Sequence, residues 1–149
     1  MRYPPRNDDR GPEGRRAMKI HKITAKAIKP YGRIIDSSCV KDDGKWNNFG
    51  ILLKEKSEGW RIGYLILRDD KIERLERHPD SLETFEPVKG KAVIALALPG
   101  SPDSVNFFYL DKPIVLNKNI WHDLFAISGK CEIKIFENIE VKTEYYRIK

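Results

Sequence analysis

The chain has 149 residues, with Lys+Arg 28 against Asp+Glu 22 and a formal net charge of +6. That length fits one domain with a single core and a single site, and hydrophobic residues at 40% with charged residues at 34% exclude a disordered or collagen-like chain. No apolar run approaches the roughly 20 residues of a membrane-spanning helix, and the N-terminus lacks the basic-then-apolar pattern of a secretory signal, so a cytoplasmic protein without a membrane partner is expected.

The first 17 residues combine Pro4, Pro5, Pro12, Gly11 and Gly14 with charges and no aliphatic side chain between Arg2 and Arg16 larger than alanine. They bury too little apolar surface to offset the entropy of ordering and read as a flexible leader or added extension, leaving 18–149 as one domain. Basic residues do not cluster beyond the leader: Lys71, Arg74 and Arg77 alternate with Glu73 and Glu76, as on a solvated mixed-charge surface, so no nucleic-acid partner is expected.

From Met18 onward, short apolar runs are separated by turn residues at the spacing of a sandwich or barrel. Strands are predicted at 19–23, 32–36, 49–55, 60–67, 74–78, 81–88, 91–98, 105–110, 113–116, 123–127, 132–137 and 141–148. Between them stand turn signals such as Asp42-Asp43-Gly44, Lys89-Gly90, Pro99-Gly100 and Ser128-Gly129. The clearest alternation runs through Glu132, Ile133, Lys134 and Ile135, with the two isoleucines on one face. Residues 23–28 also suit a short helix, and Pro79 favours strand over helix in the run before it. The class expected is all-β with little helix, and no internal repeat is present.

Two cysteines, Cys39 and Cys131, are too few for a structural zinc set or a disulfide framework. The chemistry gathers around two of the three histidines. In a strand, Glu76 and His78 are two apart and share a face, while Arg77 faces the other way, to the exterior. A turn at Pro79–Ser81 returns Glu83 toward that pair, and His122 stands downstream beside Trp121, which is expected to pack against it. Two imidazoles and one or two carboxylates converging in a small barrel make either a divalent-metal site or an acid/base pair. Asn106, Tyr109 and Asn119 are candidates for the polar rim.

The spacing His78-x4-Glu83-x6-Gly90 resembles the first motif of the cupin superfamily, with Glu76 in the place of a second histidine. His122 is similar to the histidine of the second motif, although Asn117-Lys118-Asn119-Ile120 stands where a Pro-x-Gly usually precedes it. More narrowly, Lys29-Pro30-Tyr31-Gly32, Glu76-Arg77-His78-Pro79, Phe85-x-Pro87, Pro102-Asp103 and Asn119-Ile120-Trp121-His122 resemble the ureidoglycolate lyase family. The resemblance implies a cupin-type double-stranded β-helix, or jelly-roll barrel, and cleavage of ureidoglycolate to glyoxylate and urea.

On that reading His78, His122 and Glu83 are catalytic, and Glu76, Asn119 and Tyr109 bind the substrate, a small carboxylate. A divalent transition metal, if used, sits on Glu76, His78, Glu83 and His122. The family commonly has glutamine in place of Glu83 and another polar group or histidine in place of Asn117 and Asp123. The extra carboxylate favours a second reading, a metal-dependent cupin acting on another small hydroxy or keto acid. The altered second motif leaves a third, a non-catalytic cupin that binds a sugar or other small molecule. A homodimer is expected, paired through an edge strand at 19–23 or 141–148.

Overall fold

A computed structural model describes residues 18–149, and the leader expectation for 1–17 lies outside the described residues. Elements follow in the order β1 (Ile20–His21), α1 (Ala25–Ile28), β2 (Gly32–Ile34), a 3-10 turn (Ser37–Cys39), β3 (Trp60–Leu67) and β4 (Arg74–Arg77). They continue with β5 (Glu83–Lys89), β6 (Ala92–Ala97), β7 (Asn106–Tyr109), β8 (Ile114–Leu116), β9 (Trp121–Ala126), β10 (Cys131–Asn138) and β11 (Glu144–Arg147). The single turn of α1 starts where the Thr24 hydroxyl accepts from the Ala27 N–H at 3.0 Å, a side-chain cap on an otherwise orphaned donor.

The strands form a six-stranded sheet in the order β1-β7-β6-β9-β4-β11 and a five-stranded sheet in the order β2-β8-β5-β10-β3. Setting aside β1, β2 and β11, each step from β3 to β10 crosses from one sheet to the other except the β6–β7 hairpin. That winding is a jelly roll, or double-stranded β-helix.

The interior between the sheets holds Phe85, Ile94, Leu96, Leu116 and Ile133. A second apolar layer, with Val93, Ala95, Trp121 and Phe125, covers the outer face of the six-stranded sheet beneath Ile72, Leu75 and Ile148. Strand β6 is therefore buried on both faces, which is why 92–97 reads as an unbroken apolar run and not an alternating one. Among the described residues no helix is long and apolar enough to cross a membrane.

Two expectations are corrected. Residues 49–55 form no strand, because no neighbouring strand accepts their backbone groups, and Phe49 and Ile51 stand exposed. Trp121 does not pack beside His122: successive strand residues face opposite ways, so Trp121 joins the outer layer and its indole N–H donates to Pro99 O at 3.1 Å. Arg77 lies on that same outer side, 4.3 Å over the Trp121 ring and paired with Glu144. Cys39 and Cys131 are both free thiols, the first exposed and the second buried.

Gly90, the last residue of the motif-like spacing, makes the β5–β6 turn at φ 75°, where an added Cβ would lie 2.6 Å from Lys130 O. Gly44 has a similar φ of 80° but open space around it. Alanine at either position bears the cost of left-handed backbone, about 1–2 kcal/mol, and only Gly90→Ala adds a backbone clash. Urea unfolding should show the larger loss for Gly90→Ala; equal losses would mean that the close approach carries no weight.

Candidate functional site

Glu76 reaches the site from β4, where its Cα is paired with that of His122 on β9. One residue past β4, His78 turns its ring back to the same side, and Glu83 opens β5 after the Pro79-Asp80 turn. Alternation thus puts all four predicted side chains at one end of the barrel interior.

The Nε2 atoms of both rings face the carboxylates. His122 Nε2 lies 2.9 Å from Glu83 Oε1 and 3.5 Å from Glu76 Oε1. His78 Nε2 lies 3.3 Å from Glu83 Oε1 and 3.8 Å from Glu76 Oε1. The other ring nitrogens are committed: His122 Nδ1 donates to Ile120 O at 2.9 Å and His78 Nδ1 to Lys142 O at 3.1 Å. A carbonyl only accepts, so each Nδ1 carries a proton and each Nε2 is the variable position.

These donors fit a shared cation. Glu83 Oε1 and His122 Nε2 are buried without a hydrogen-bond partner despite their 2.9 Å approach, so the contact is off the axis of a hydrogen bond. Glu76, His78 and His122 each present a ligand atom within 4.8 Å of the others, as do His78, Glu83 and Glu137. Imidazole with carboxylate is a donor set for a divalent transition metal, and ligands at about 2.0–2.2 Å from one ion stand at separations of this order.

The electrostatics of the ion-free cluster follow from burial opposed by pairing. Burial works against the His122 charge, yet the Glu83 and Glu76 carboxylates outweigh it and push its pKa up to about 10. His78 shifts upward by the same balance. Burial alone would raise Glu83, but the two imidazoliums hold it well below the usual carboxylate range.

Beside the cluster the barrel opens into a hollow of about 360 Å³ with Glu76 and Glu83 on its wall. Asp69, Asp123 and Arg74 also line it, over apolar side chains such as Leu67 and Phe85. Burial raises Asp123 to about 6, partly opposed by the Leu124 N–H that donates to its carboxylate. On the opposite side the loop before β9 closes the cluster. Asn119 takes a left-handed φ of 73°, its N–H donates to His78 O at 3.0 Å, and its Oδ1 is buried without a partner.

The structure therefore brings His78, His122, Glu76, Glu83 and Asn119 together, and leaves Tyr109 apart. Tyr109 pairs with Val93 of the outer layer and lines a separate surface hollow with Lys89 and Lys91, because it falls in the outward phase of β7. Asn106 donates to the Tyr31 hydroxyl at 2.7 Å. Sequence reading missed Arg74, Asp69 and Glu137, and marked Asp123 only as a departure from the family pattern. Glu137 lies beside Glu83 through the β5–β10 register and is gripped by Arg61 at 2.8 and 2.9 Å. Its signal was its phase, inward with Ile133 and Ile135, and Arg74 likewise keeps phase with Glu76.

No family model matches the chain, and no curated protein matches it. Solved structures do. One is a cupin 2 domain-containing protein from Halorhodospira halophila, 14% identical over 72% of this chain and 77% of that one, with TM-score 0.45. Another is a mutant 3,4-ketoisomerase from Thermoanaerobacterium thermosaccharolyticum in complex with TDP-4-keto-6-deoxyglucose, 15% identical over 78% and 85%, with TM-score 0.49. A third, a dTDP sugar isomerase from Desulfovibrio desulfuricans, is 11% identical over 80% and 82%, with TM-score 0.41. The jelly-roll assignment stands on the strand order.

The ion-free cluster gives a pH window for stability. Glu83, with its pKa lowered on folding, contributes above the ordinary carboxylate value of about 4.5 and loses that contribution as pH falls through its depressed value. His122, with its pKa raised, contributes fully below about 6.5 and loses it as pH rises through about 10. Urea unfolding in chelator should thus show this pair's contribution largest between about pH 4.5 and 6.5. In Glu83→Gln both limbs should flatten; an unchanged profile would remove the pair from the stability of the fold.

Proposed function

We propose that the chain is a metal-dependent cupin-type enzyme acting on a small hydroxy or keto acid, with Glu76, His78, Glu83 and His122 holding a divalent transition ion. The observation that carries this reading is the convergence of two Nε2 atoms and two carboxylates whose remaining ring nitrogens are tied to backbone carbonyls. Ureidoglycolate is the first substrate to try, on the strength of Glu76-Arg77-His78-Pro79, Phe85-x-Pro87 and Trp121-His122.

The hollow sets conditions on such a substrate. Arg74 and the His122 imidazolium stand against four carboxylates, Asp69, Glu76, Glu83 and Asp123, so an anion entering the ion-free hollow meets a wall with more negative than positive groups. A bound divalent ion supplies countercharge for a carboxylate and polarises a substrate oxygen. Arg74 supplies the second cation, a planar donor suited to a carboxylate. Asp123, held near pH 6 on the hollow wall, suits proton transfer around neutrality. For ureidoglycolate it takes the hydroxyl proton as the C–O bond becomes a carbonyl and the C–N bond breaks. The same proton then passes to the departing nitrogen, giving glyoxylate and urea.

Elemental analysis of purified protein should find a divalent metal near one per chain, lost in His78→Ala and His122→Ala. Because the His122 imidazole, with its pKa at about 10, is charged before binding, loading the ion at pH 7 should release a proton, read as a buffer-dependent heat in calorimetry. A protein without metal affinity would sink the proposal. Glyoxylate release from ureidoglycolate should stop in chelator, whereas metal without turnover would move the reading to another small acid. Binding without turnover of any acid would favour the non-catalytic alternative.

Asp123→Asn should keep its metal and lose about 10²–10⁴-fold in turnover. The wild-type rate should fall in acid as the carboxylate takes up a proton, at a pH below the ion-free value of about 6 because the bound cation favours the ionised form. Full activity in that variant would exclude Asp123 as the proton carrier.

A further inference from the structure

We propose that the open edge of the five-stranded sheet, strand β3, is the contact surface for a second copy of this chain. Among the described residues β3 is hydrogen-bonded to β10 on one side and to no strand on the other. Its eight residues therefore present a row of unpaired backbone groups, the kind of edge that single-chain proteins blunt with lysine, proline or a bulge. None of these interrupts Trp60–Leu67, which carries Arg61 as its one charge.

The outward side chains of this edge are apolar. Trp60 is 67% exposed, Ile62 54%, Tyr64 51% and Ile66 46%, in unbroken alternation with the inward Leu65 and Leu67. Phe136 of β10 extends the patch, its ring 6.3 Å from Trp60. A contiguous apolar patch on an unpaired edge marks a protein interface.

A second copy is the occupant that fits. Antiparallel pairing about Gly63 would set Trp60 opposite the partner's Ile66 and Ile62 opposite the partner's Tyr64. Aromatic and β-branched residues stand in the favoured cross-strand combination there. The same pairing places Arg61 opposite the partner's Leu65, so no like charges meet. Of the charges flanking the edge, Arg61 is paired with Glu137, Glu132 accepts from Tyr64 at 2.8 Å with Lys130 4.0 Å away, and Lys134 stands opposite Tyr64. Residues 1–17 offer only Met1 and Tyr3 as large apolar side chains, too few to cover the patch. The edges expected from sequence are poorer: β1 is two residues long, and β11 carries Glu144 and Arg147.

Light scattering coupled to size exclusion, at about 50 µM so that a concentration-dependent pair is populated, decides the matter. The full chain and a form starting at Met18 should both run as dimers. Ile62→Lys should be a monomer with unchanged circular dichroism, since the side chain faces water in the single chain. Trp60→Ser, on the same face, gives an independent reading if the first variant fails to fold. Tyr145→Gln on β11 should remain a dimer. A monomeric full chain, a dimer that survives both β3 variants, or one lost with the leader or with Tyr145→Gln would each overturn the proposal.

Discussion

A carboxylate inside a protein barrel has to be given partners, and Glu83 is the group on which the arrangement of this site depends. It is buried, so its charge is stabilised by the two imidazoles that face it. Meeting that requirement takes parts of four elements. Strand β4 and the turn after it deliver Glu76 and His78, β5 delivers Glu83, β9 delivers His122, and the segment before β11 supplies Lys142 O to orient the His78 ring. The jelly-roll winding makes these distant segments neighbours, because β4 and β9 lie side by side in one sheet while β5 faces them from the other.

Such a cluster is a poor way to stabilise a fold. Desolvating several charges costs about as much as their attraction returns, and well-packed apolar side chains commonly do as well in the same space. The attraction here is not completed by a hydrogen bond either, since Glu83 Oε1 and His122 Nε2 approach off its axis and both remain unsatisfied. Ligand atoms gathered within 4.8 Å of one another and left without hydrogen bonds are placed for a third body. This argues for the functional reading independently of any family resemblance.

Much of this was legible in the sequence because it depends on alternation, which is local. Glu76 and His78 share a face by being two apart, and the His78-to-Gly90 spacing encodes a turn, a strand and a second turn at positive φ. The loose second motif also has a physical account. Asn119 takes the left-handed conformation in the stretch where a Pro-x-Gly is usual, and asparagine tolerates that conformation better than most residues. Long-range partnering was not legible. Residues 49–55 have strand composition but no strand beside them, and the outer layer that claims Trp121 depends on how the sheets stack. Glu137 was within reach: continuing the Ile133, Ile135 phase by one step puts a carboxylate inside the barrel.

Glu137 also ties the open edge of the sheet to the site. Its grip on Arg61 is the polar link between β3 and the carboxylates, with Glu83 next to it across the β5–β10 register. Burial and the neighbouring Glu83 charge raise the pKa of Glu137, and Arg61 offsets part of that repulsion. An edge strand held on one side opens more readily than a central one, so the position of Arg61 is only as fixed as β3 itself. Backbone pairing that fixes β3 therefore also fixes Arg61, and with it the charge that Glu83 meets on its side away from the histidines.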